Sequence, residues 1–262
     1  MTGKAKLRLK TEIDNRSGFC FGVVKAVKKA EELLDQGEVV YCVGQIVHNE
    51  EEVNRLKEKG LITISHEELP RFEHKNILFR AHGEPPESYS KAREHENRIV
   101  DASCPIILKL QKDIRKAYQN GENIFIFGKH NHPEVIGLNG QTGNQAVVFQ
   151  SLEELREKDI PEQLTLFSQT TMSLDEFYKI VDFLKNKRIK VKVRDSICRQ
   201  VANRRQEMEQ FCQRHDSIVF VAGKHSSNGK VLFNICKQQN PRAHFVSSAN
   251  EVRSDWFSKE ER

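Results

Sequence analysis

Three cysteines occur at matching points of the sequence, each where a strand-like segment passes into a helical pattern. The segments are Ser17-Gly18-Phe19-Cys20, Asp101-Ala102-Ser103-Cys104 and Asp195-Ser196-Ile197-Cys198. A helix N-terminus beside a cysteine lowers the pKa of its thiol, and the thiolate is the form that binds metals. We therefore predict that Cys20, Cys104 and Cys198 share one metal centre.

A polar loop recurs 28 residues after each of these cysteines, which indicates a threefold internal repeat. The residues at this offset are His48, His132 and Ser226, and each follows a strand-like run and a glycine. A second polar element, Ala81-His82-Gly83 in the first repeat, corresponds to Gln169-Thr170-Thr171 in the second. Its third copy would fall at or beyond about residue 260, so we expect the third repeat to be incomplete.

The spacing of the cysteines leaves the nature of the metal centre open. Three thiolates suit either an iron–sulfur cluster or, with one histidine, a zinc ion. Burial as structural cysteines is a third possibility, which the repeat makes less attractive. We expect Cys42, Cys212 and Cys236 to pack in the core, because they lie within apolar strand or helix patterns.

The polar residues of the repeated loops suggest an anion site. Ligands gather where the loops after parallel strands converge, and neutral or cationic donors beside helix N-termini suit phosphate. The candidates are His48, His82, His132, Thr170, Thr171, Ser226, Ser227 and Asn228. Glu134 differs in being acidic, and two interpretations remain open: a proton donor with a raised pKa, or an ordinary glutamate at a helix start.

The surrounding pattern predicts an α/β protein with largely parallel sheets. The predicted strands are Val39–Val43, Asn76–Ala81, Asn123–Phe127, Leu164–Ser168, Lys190–Asp195 and Ser217–Ala222. Helical patterns lie between them, including one with Val23, Val27, Ala30 and Leu34 on one face. Two further helix starts are marked by Pro105 at a first helical position and by Ser173 with Glu176 as a capping pair.

The composition adds broad limits. The chain has 262 residues and a formal net charge of +5, with no apolar run of membrane-spanning length and no basic–aromatic cluster. We expect a cytoplasmic protein that binds neither membranes nor nucleic acid, whose mild positive charge favours anionic ligands or an acidic partner. Six cysteines without a secretory signal are expected to stay reduced or to bind metal.

The motifs together resemble the LytB family of 4-hydroxy-3-methylbut-2-enyl diphosphate reductases. The resemblance runs from about residue 13 to about residue 257. The motifs, in order, are Gly18-Phe19-Cys20-Phe21-Gly22-Val23, Val47-His48-Asn49, Ala81-His82-Gly83, Asp101-Ala102-Ser103-Cys104-Pro105, His132-Pro133-Glu134-Val135, Gln169-Thr170-Thr171 and Ser226-Ser227-Asn228.

The resemblance implies a trefoil of three α/β units around one [4Fe–4S] cluster held by Cys20, Cys104 and Cys198. The units would span residues 21–103, 104–197 and 198–262, the last one incomplete and completed by the N-terminal segment 11–20. It further implies that two electrons and two protons remove a hydroxyl group as water from an allylic diphosphate, giving isopentenyl and dimethylallyl diphosphate. This is the last step of the methylerythritol phosphate route to isoprenoids.

The resemblance also assigns roles to residues. Glu134 would deliver protons and Thr170 would orient the hydroxyl end of the substrate. The diphosphate would be held by His48, His82, His132, Ser226, Ser227 and Asn228. Reduced ferredoxin or flavodoxin, both acidic, would supply the electrons.

One departure from the family pattern leaves two alternatives. Family members continue with a further strand and a serine-containing loop, whereas this sequence ends at Arg262. A catalytically inactive remnant is therefore one alternative, and a zinc-binding protein that uses the same cysteines and histidines is another.

Overall fold

The computed structural model describes residues 8–258 and 260–261. They fall into two compact units. The larger contains residues 19–47 and 52–198, and the smaller contains residues up to 18, residues 48–51 and residues from 199 onward.

Strands and helices alternate along most of the described chain. The helices are α1 (Phe21–Leu34), α2 (Glu50–Glu58), α3 (Pro86–Glu94), α4 (Pro105–Gln119), α5 (Pro133–Asn139), α6 (Leu152–Arg156), α7 (Leu174–Asn186), α8 (Arg199–Gln213) and α9 (Ser227–Gln239). The strands are β1 (Arg8–Leu9), β2 (Val40–Val43), β3 (Leu61–Ile64), β4 (Asn76–Phe79), β5 (Arg98–Asp101), β6 (Ile124–Phe127), β7 (Val147–Phe149), β8 (Gln163–Ser168), β9 (Lys190–Val193), β10 (Ile218–Val221), β11 (Ala243–Val246) and β12 (Glu260–Glu261).

Two four-stranded parallel sheets with the same strand order make up the larger unit. The first has the order β3-β2-β4-β5 and the second has the order β7-β6-β8-β9. In the first sheet Val40 lies beside Leu61 on one side and Asn76 on the other. This identical order confirms that the sequence repeat corresponds to a repeat in structure, and the parallel sheets confirm the predicted α/β class.

Parallel strands in such sheets are covered on both faces, so their sequences are continuously apolar rather than alternating. All four residues of β6 are buried, and so are five of the six in β8. The helical face predicted for α1 is also confirmed, because Val27, Ala30 and Leu34 lie in one core cluster with β2.

The smaller unit contains a third parallel pair. Strand β10 pairs with β11, and the helices α8 and α9 pack beside them. The two-residue strands β1 and β12 also pair in parallel, with Arg8 beside Glu260. The first two predicted units each contain one of the four-stranded sheets, and the proposed division of the chain into three units stays a prediction.

All six predicted strands are present, and the differences lie at their ends. The strand predicted over Asn76–Ala81 ends at Phe79, and the one predicted over Lys190–Asp195 ends at Val193. Helix starts agree as well: Pro105 is the first residue of α4, and the Ser173 hydroxyl accepts a hydrogen bond from the Glu176 N–H. No helix among the described residues is both long and apolar enough to span a bilayer.

The three cysteines assigned to the core are buried, as predicted. Burial raises the pKa of the Cys42 thiol to about 12, so it stays protonated at neutral pH. Cys212 and Cys236 are fully buried in the smaller unit, with their sulfur atoms 2.8 Å apart.

Candidate functional site

The predicted metal-binding cysteines belong to the larger unit, and each directly precedes a helix. Cys20 is the N-cap of α1 and Cys104 is the N-cap of α4, both with extended backbone. Cys198 directly precedes α8. Cys20 is exposed, whereas the other two are partly buried.

Cys20 and Cys198 lie close enough to Cys104 to influence its thiol electrostatically. The pKa of the Cys104 thiol is raised, chiefly by burial. The N–H groups of Ile106 and Ile107 oppose this shift, while negative charge on Cys20 and Cys198 adds to it. A cation placed among the three thiolates would remove this mutual repulsion, so the set is suited to a metal centre.

Backbone hydrogen bonds connect each of the two partly buried cysteines to the polar loop of the preceding repeat. The Cys104 N–H donates to the Ala81 carbonyl at 3.0 Å, and the Cys198 N–H donates to the Thr170 carbonyl at 2.9 Å. Ala81 and Thr170 belong to the corresponding motifs after β4 and β8. The loop that carries the candidate substrate residues is thereby fixed to the cysteine predicted to bind metal.

Glu134 is the buried acid of the larger unit's candidate site. It lies in the first turn of α5 with 2% of its surface exposed. Its carboxyl accepts hydrogen bonds from the Thr170 N–H at 2.6 Å and the Thr170 hydroxyl at 2.9 Å. Burial raises the pKa of Glu134 to about 7, and the Thr170 hydrogen bonds only partly oppose this. A carboxyl with this pKa can hold or release a proton at neutral pH.

Two of the predicted histidines meet in the larger unit. The rings of His82 and His132 lie edge to face, with centroids 5.5 Å apart. The Nδ1 atom of His132 accepts a hydrogen bond from the Glu134 N–H at 3.2 Å, so in the neutral ring Nε2 carries the proton. His132 therefore presents an N–H donor, which suits an anionic ligand.

Thr171 is held in place by Gln169, which is fully buried. The Gln169 side-chain nitrogen donates to the Thr171 hydroxyl at 2.8 Å, while its oxygen accepts the Lys129 N–H at 3.0 Å. This one side chain therefore joins the loop after β8 to the loop after β6.

The remaining predicted residues lie in the smaller unit. A side chain at Gly223 would meet the His48 carbonyl oxygen at 1.7 Å, so only glycine permits this close approach. The Ser226 hydroxyl caps α9 by accepting the Gly229 N–H at 3.0 Å, and Ser227 is buried in its first turn. Among the described residues, the buried Asn228 Oδ1 atom has no hydrogen-bond partner, which is typical of a polar group that awaits a ligand or water.

A buried charged group beside His82 was missed by the sequence analysis. Arg80 and Glu84 flank the Ala81-His82-Gly83 motif and are 6% and 2% exposed. Glu84 contacts His66 at 2.5 Å, and the Arg80 guanidinium lies against Gly44, where a side chain would approach within 2.3 Å. In the sequence, this pair could have been found from its opposite charges at positions i and i+4, on either side of the Ala81-His82-Gly83 motif.

Comparison with known proteins identifies close relatives. The model of the family described as "LytB protein" matches residues 12–262. The 4-hydroxy-3-methylbut-2-enyl diphosphate reductase of Bacteroides fragilis is 50% identical over 251 residues, covering 93% of this chain and 87% of that protein.

Two solved structures resemble the chain as well. The E-1-hydroxy-2-methyl-but-2-enyl-4-diphosphate reductase of Plasmodium falciparum matches with a TM-score of 0.82 and 27% identity, covering 92% of this chain and 77% of that one. A second reductase, described as the terminal enzyme of the non-mevalonate pathway, matches with a TM-score of 0.70 and 32% identity, covering 94% and 89%. These matches confirm the α/β trefoil fold class that the resemblance implied.

Proposed function

Because the chain belongs to the LytB protein family, we propose that it reduces 4-hydroxy-3-methylbut-2-enyl diphosphate, the compound for which its relatives are named. It is an oxidoreductase of isoprenoid biosynthesis. The substrate gains two electrons and two protons and loses its hydroxyl group as water, and the products are isopentenyl and dimethylallyl diphosphate. The observation that carries the proposal is the buried acid Glu134, with a pKa of about 7, in the same compact unit as the three cysteines that precede helices.

We assign one [4Fe–4S] cluster per chain to Cys20, Cys104 and Cys198. Support comes from the donor set, which has three thiol ligands with two at helix N-caps, and from membership of the LytB family. A cluster with three protein ligands has an iron without a protein ligand, and when bound it supplies single electrons and Lewis acidity.

Glu134 is the proposed proton donor. With a pKa of about 7 its carboxyl is about half protonated at neutral pH, and protonation of the leaving hydroxyl converts it into water. Thr170 is the proposed orienting residue, because its hydroxyl is hydrogen-bonded to Glu134 and can also contact a substrate hydroxyl. Burial excludes bulk water, which would otherwise hold the pKa of the acid near 4.5.

The diphosphate is assigned to two sets of donors. In the larger unit these are His82, His132 and Thr171. In the smaller unit they are His48, Ser226, Ser227 and Asn228. All are neutral or cationic hydrogen-bonding groups, and Ser226 and His132 each stand at a helix N-cap, where partial positive charge favours an anion.

The electron donor and the location are further proposals. An acidic one-electron carrier such as reduced ferredoxin or flavodoxin complements the net charge of +5. A reducing compartment such as the cytoplasm suits a protein with six free cysteines.

Anaerobic purification followed by turnover tests the assignment. We expect about four irons and four sulfides per chain, and formation of both products from the diphosphate substrate with a chemical reductant. A colourless protein with one zinc ion would reject the cluster and favour the zinc-binding alternative. A loaded cluster without turnover would favour the catalytically inactive alternative.

A further inference from the structure

Two tyrosine–aspartate pairs occupy equivalent positions in the two sheets of the larger unit. The Tyr89 hydroxyl on α3 donates to Asp101 Oδ2 at 2.8 Å. The Tyr178 hydroxyl on α7 donates to Asp195 Oδ2 at 3.2 Å. Each tyrosine lies on the helix that precedes the last strand of its sheet, and each aspartate stands three residues before a metal-binding cysteine.

The other carboxylate oxygen of each aspartate binds the backbone that leads to the cysteine. Asp101 Oδ1 accepts the Ser103 N–H at 2.9 Å, and Asp195 Oδ1 accepts the Ile197 N–H at 3.3 Å. Each side chain thus closes a turn on its own backbone two residues ahead. Each carboxylate therefore connects the helix that carries the tyrosine to the turn that ends at the residue before the cysteine.

The third cysteine provides a contrast within the same chain. The residue three positions before Cys20 is Ser17, which has no carboxylate. Cys20 is exposed, whereas Cys104 and Cys198 are partly buried. The two cysteines with an aspartate are also the two whose N–H groups are bound by the carbonyls of Ala81 and Thr170. Their backbone is held from both sides.

We propose that Asp101 with Tyr89, and Asp195 with Tyr178, are positioning pairs that fix the backbone of Cys104 and Cys198 for metal binding. The nature of the metal centre rests on the proposed function. The restriction of the backbone at the two cysteines does not. The tyrosine holds the carboxylate in one rotamer, and the carboxylate holds the turn. Neither residue has to contact the metal centre for this effect.

How firmly the backbone holds each cysteine can be measured on metal-free protein. The measured quantity is the rate at which each cysteine is alkylated, followed by mass spectrometry. A hydrogen bond to a charged group is strong enough to change the opening equilibrium of a turn by about tenfold. We expect Asp101→Ala to accelerate alkylation of Cys104 by about this factor, while Cys198 and Cys20 stay unchanged. Asp195→Ala should accelerate Cys198 alone.

Milder variants separate the two halves of each pair. Tyr89→Phe removes only the hydroxyl and should raise the Cys104 rate by a smaller factor. Asp101→Asn keeps one acceptor oxygen for the Ser103 N–H and should lie between the wild-type protein and Asp101→Ala. Tyr118→Phe is the matched control, because the Tyr118 hydroxyl on α4 binds only the Gln145 side chain in the described structure.

Two outcomes would overturn the proposal. One is an equal acceleration at all three cysteines, which would indicate general destabilisation. The other is the absence of any acceleration in both Asp→Ala variants.

A spectroscopic measurement on protein reconstituted with iron and sulfide extends the test to the cluster. Tyr89→Phe retains all charges, so a change in the electron paramagnetic resonance signal of the reduced cluster would report altered geometry around Cys104. An unchanged signal in both Tyr→Phe variants would contradict positioning of the cluster ligands. If no variant takes up a cluster, the wild-type protein included, the proposed function fails while the alkylation result still decides the positioning role.

Discussion

Glu134 is the residue at which the sequence left two interpretations open. A glutamate after a proline in the first helical turn is common and is stabilised by the helix dipole. Glu87 has this same local sequence at the start of α3, yet it is exposed and its carboxyl pKa is lowered by Lys91. Burial and the contact with Thr170 distinguish Glu134, and both depend on residues 36 positions away in the chain.

Replacement of Glu134 by glutamine should abolish most turnover while leaving the metal centre intact. Glutamine retains the size and the acceptor oxygen but has no acidic proton, and general acid catalysis typically contributes about 10²- to 10⁴-fold. We expect kcat to fall by at least about a hundredfold, with unchanged iron content. Glu87→Gln is the matched control, and it should leave kcat unaffected. Equal rates in the wild-type and Glu134→Gln proteins would remove Glu134 from the mechanism.

The pH dependence of kcat follows from the raised pKa of Glu134. An acid with a pKa of about 7 is protonated below that pH and loses its proton above it, so kcat should fall as the pH rises through about 7. The Thr170 hydroxyl stabilises the carboxylate and thereby lowers the pKa. Thr170→Val should therefore shift the descending limb to higher pH. A shift to lower pH would contradict this assignment, as would a profile without a limb near neutral pH.

The raised pKa of Glu134 also makes the stability of the folded protein depend on pH. The folded protein binds the Glu134 proton more tightly than the unfolded chain, whose glutamate has a pKa near 4.5. This contribution to stability is complete below about pH 4.5 and is lost as the pH rises to about 7. Denaturant unfolding between these values should show Glu134→Gln gaining stability relative to the wild-type protein as the pH rises. A constant difference would show that the carboxyl is not buried in solution.

At the scale of elements, the sequence predicted β2, β4, β6, β8, β9 and β10 and missed β3, β5, β7 and β11, which are about as long as most of the predicted strands. Strand β6 is a continuous apolar run, and β8 is buried over five of its six residues. Strands β3, β5, β7 and β11 have three or four residues with polar or charged neighbours. Their strand conformation comes from pairing with β2, β4, β6 and β10, which a local pattern does not contain.

Helix α1 offers a test of how its first turn accommodates the metal ligands. Alanine is favoured over glycine by about 1 kcal/mol in a helix, which offsets part of the cost of a new methyl group at Gly22. That methyl group would lie 2.8 Å from the Cys104 sulfur and 3.0 Å from the Cys104 Cβ. A free thiol can rotate away and leave only the Cβ contact, whereas a sulfur bound to metal cannot.

We therefore expect Gly22→Ala to lower the Tm of the metal-free protein only slightly and to lose much of its iron and sulfide on reconstitution. Val24→Ala, at an exposed position of the same helix, is the control and should load normally. Full loading of Gly22→Ala would place the first turn of α1 away from the cluster. An equal loss of iron in both variants would point to a general effect of changing the helix.

At the scale of the whole molecule, the repeat carried most of the predictive power. Equal sequence offsets from Cys20, Cys104 and Cys198 identified corresponding residues of the repeats without any knowledge of the sheets. The two sheets of the larger unit have the same strand order. The offsets did not reveal which positions are buried. The sequence therefore did not predict that Arg80 and Glu84 are buried. Charged residues are rarely buried, and the burial of these two became visible only in the packing of the structure.

The metal centre should contribute to the stability of the whole chain, because its ligands are far apart in sequence. The three cysteines are separated by 84 and 94 residues, and closing a loop of this size restricts the unfolded chain by about 4 to 5 kcal/mol in a chain-entropy model. Two such loops correspond to a rise in Tm of roughly 10 °C or more on anaerobic reconstitution, measured by calorimetry. Cys104→Ser should abolish the rise, whereas Cys42→Ala should lower Tm and retain it, since Cys42 packs in the core. A rise that persists in Cys104→Ser would mean that Cys104 is not a ligand.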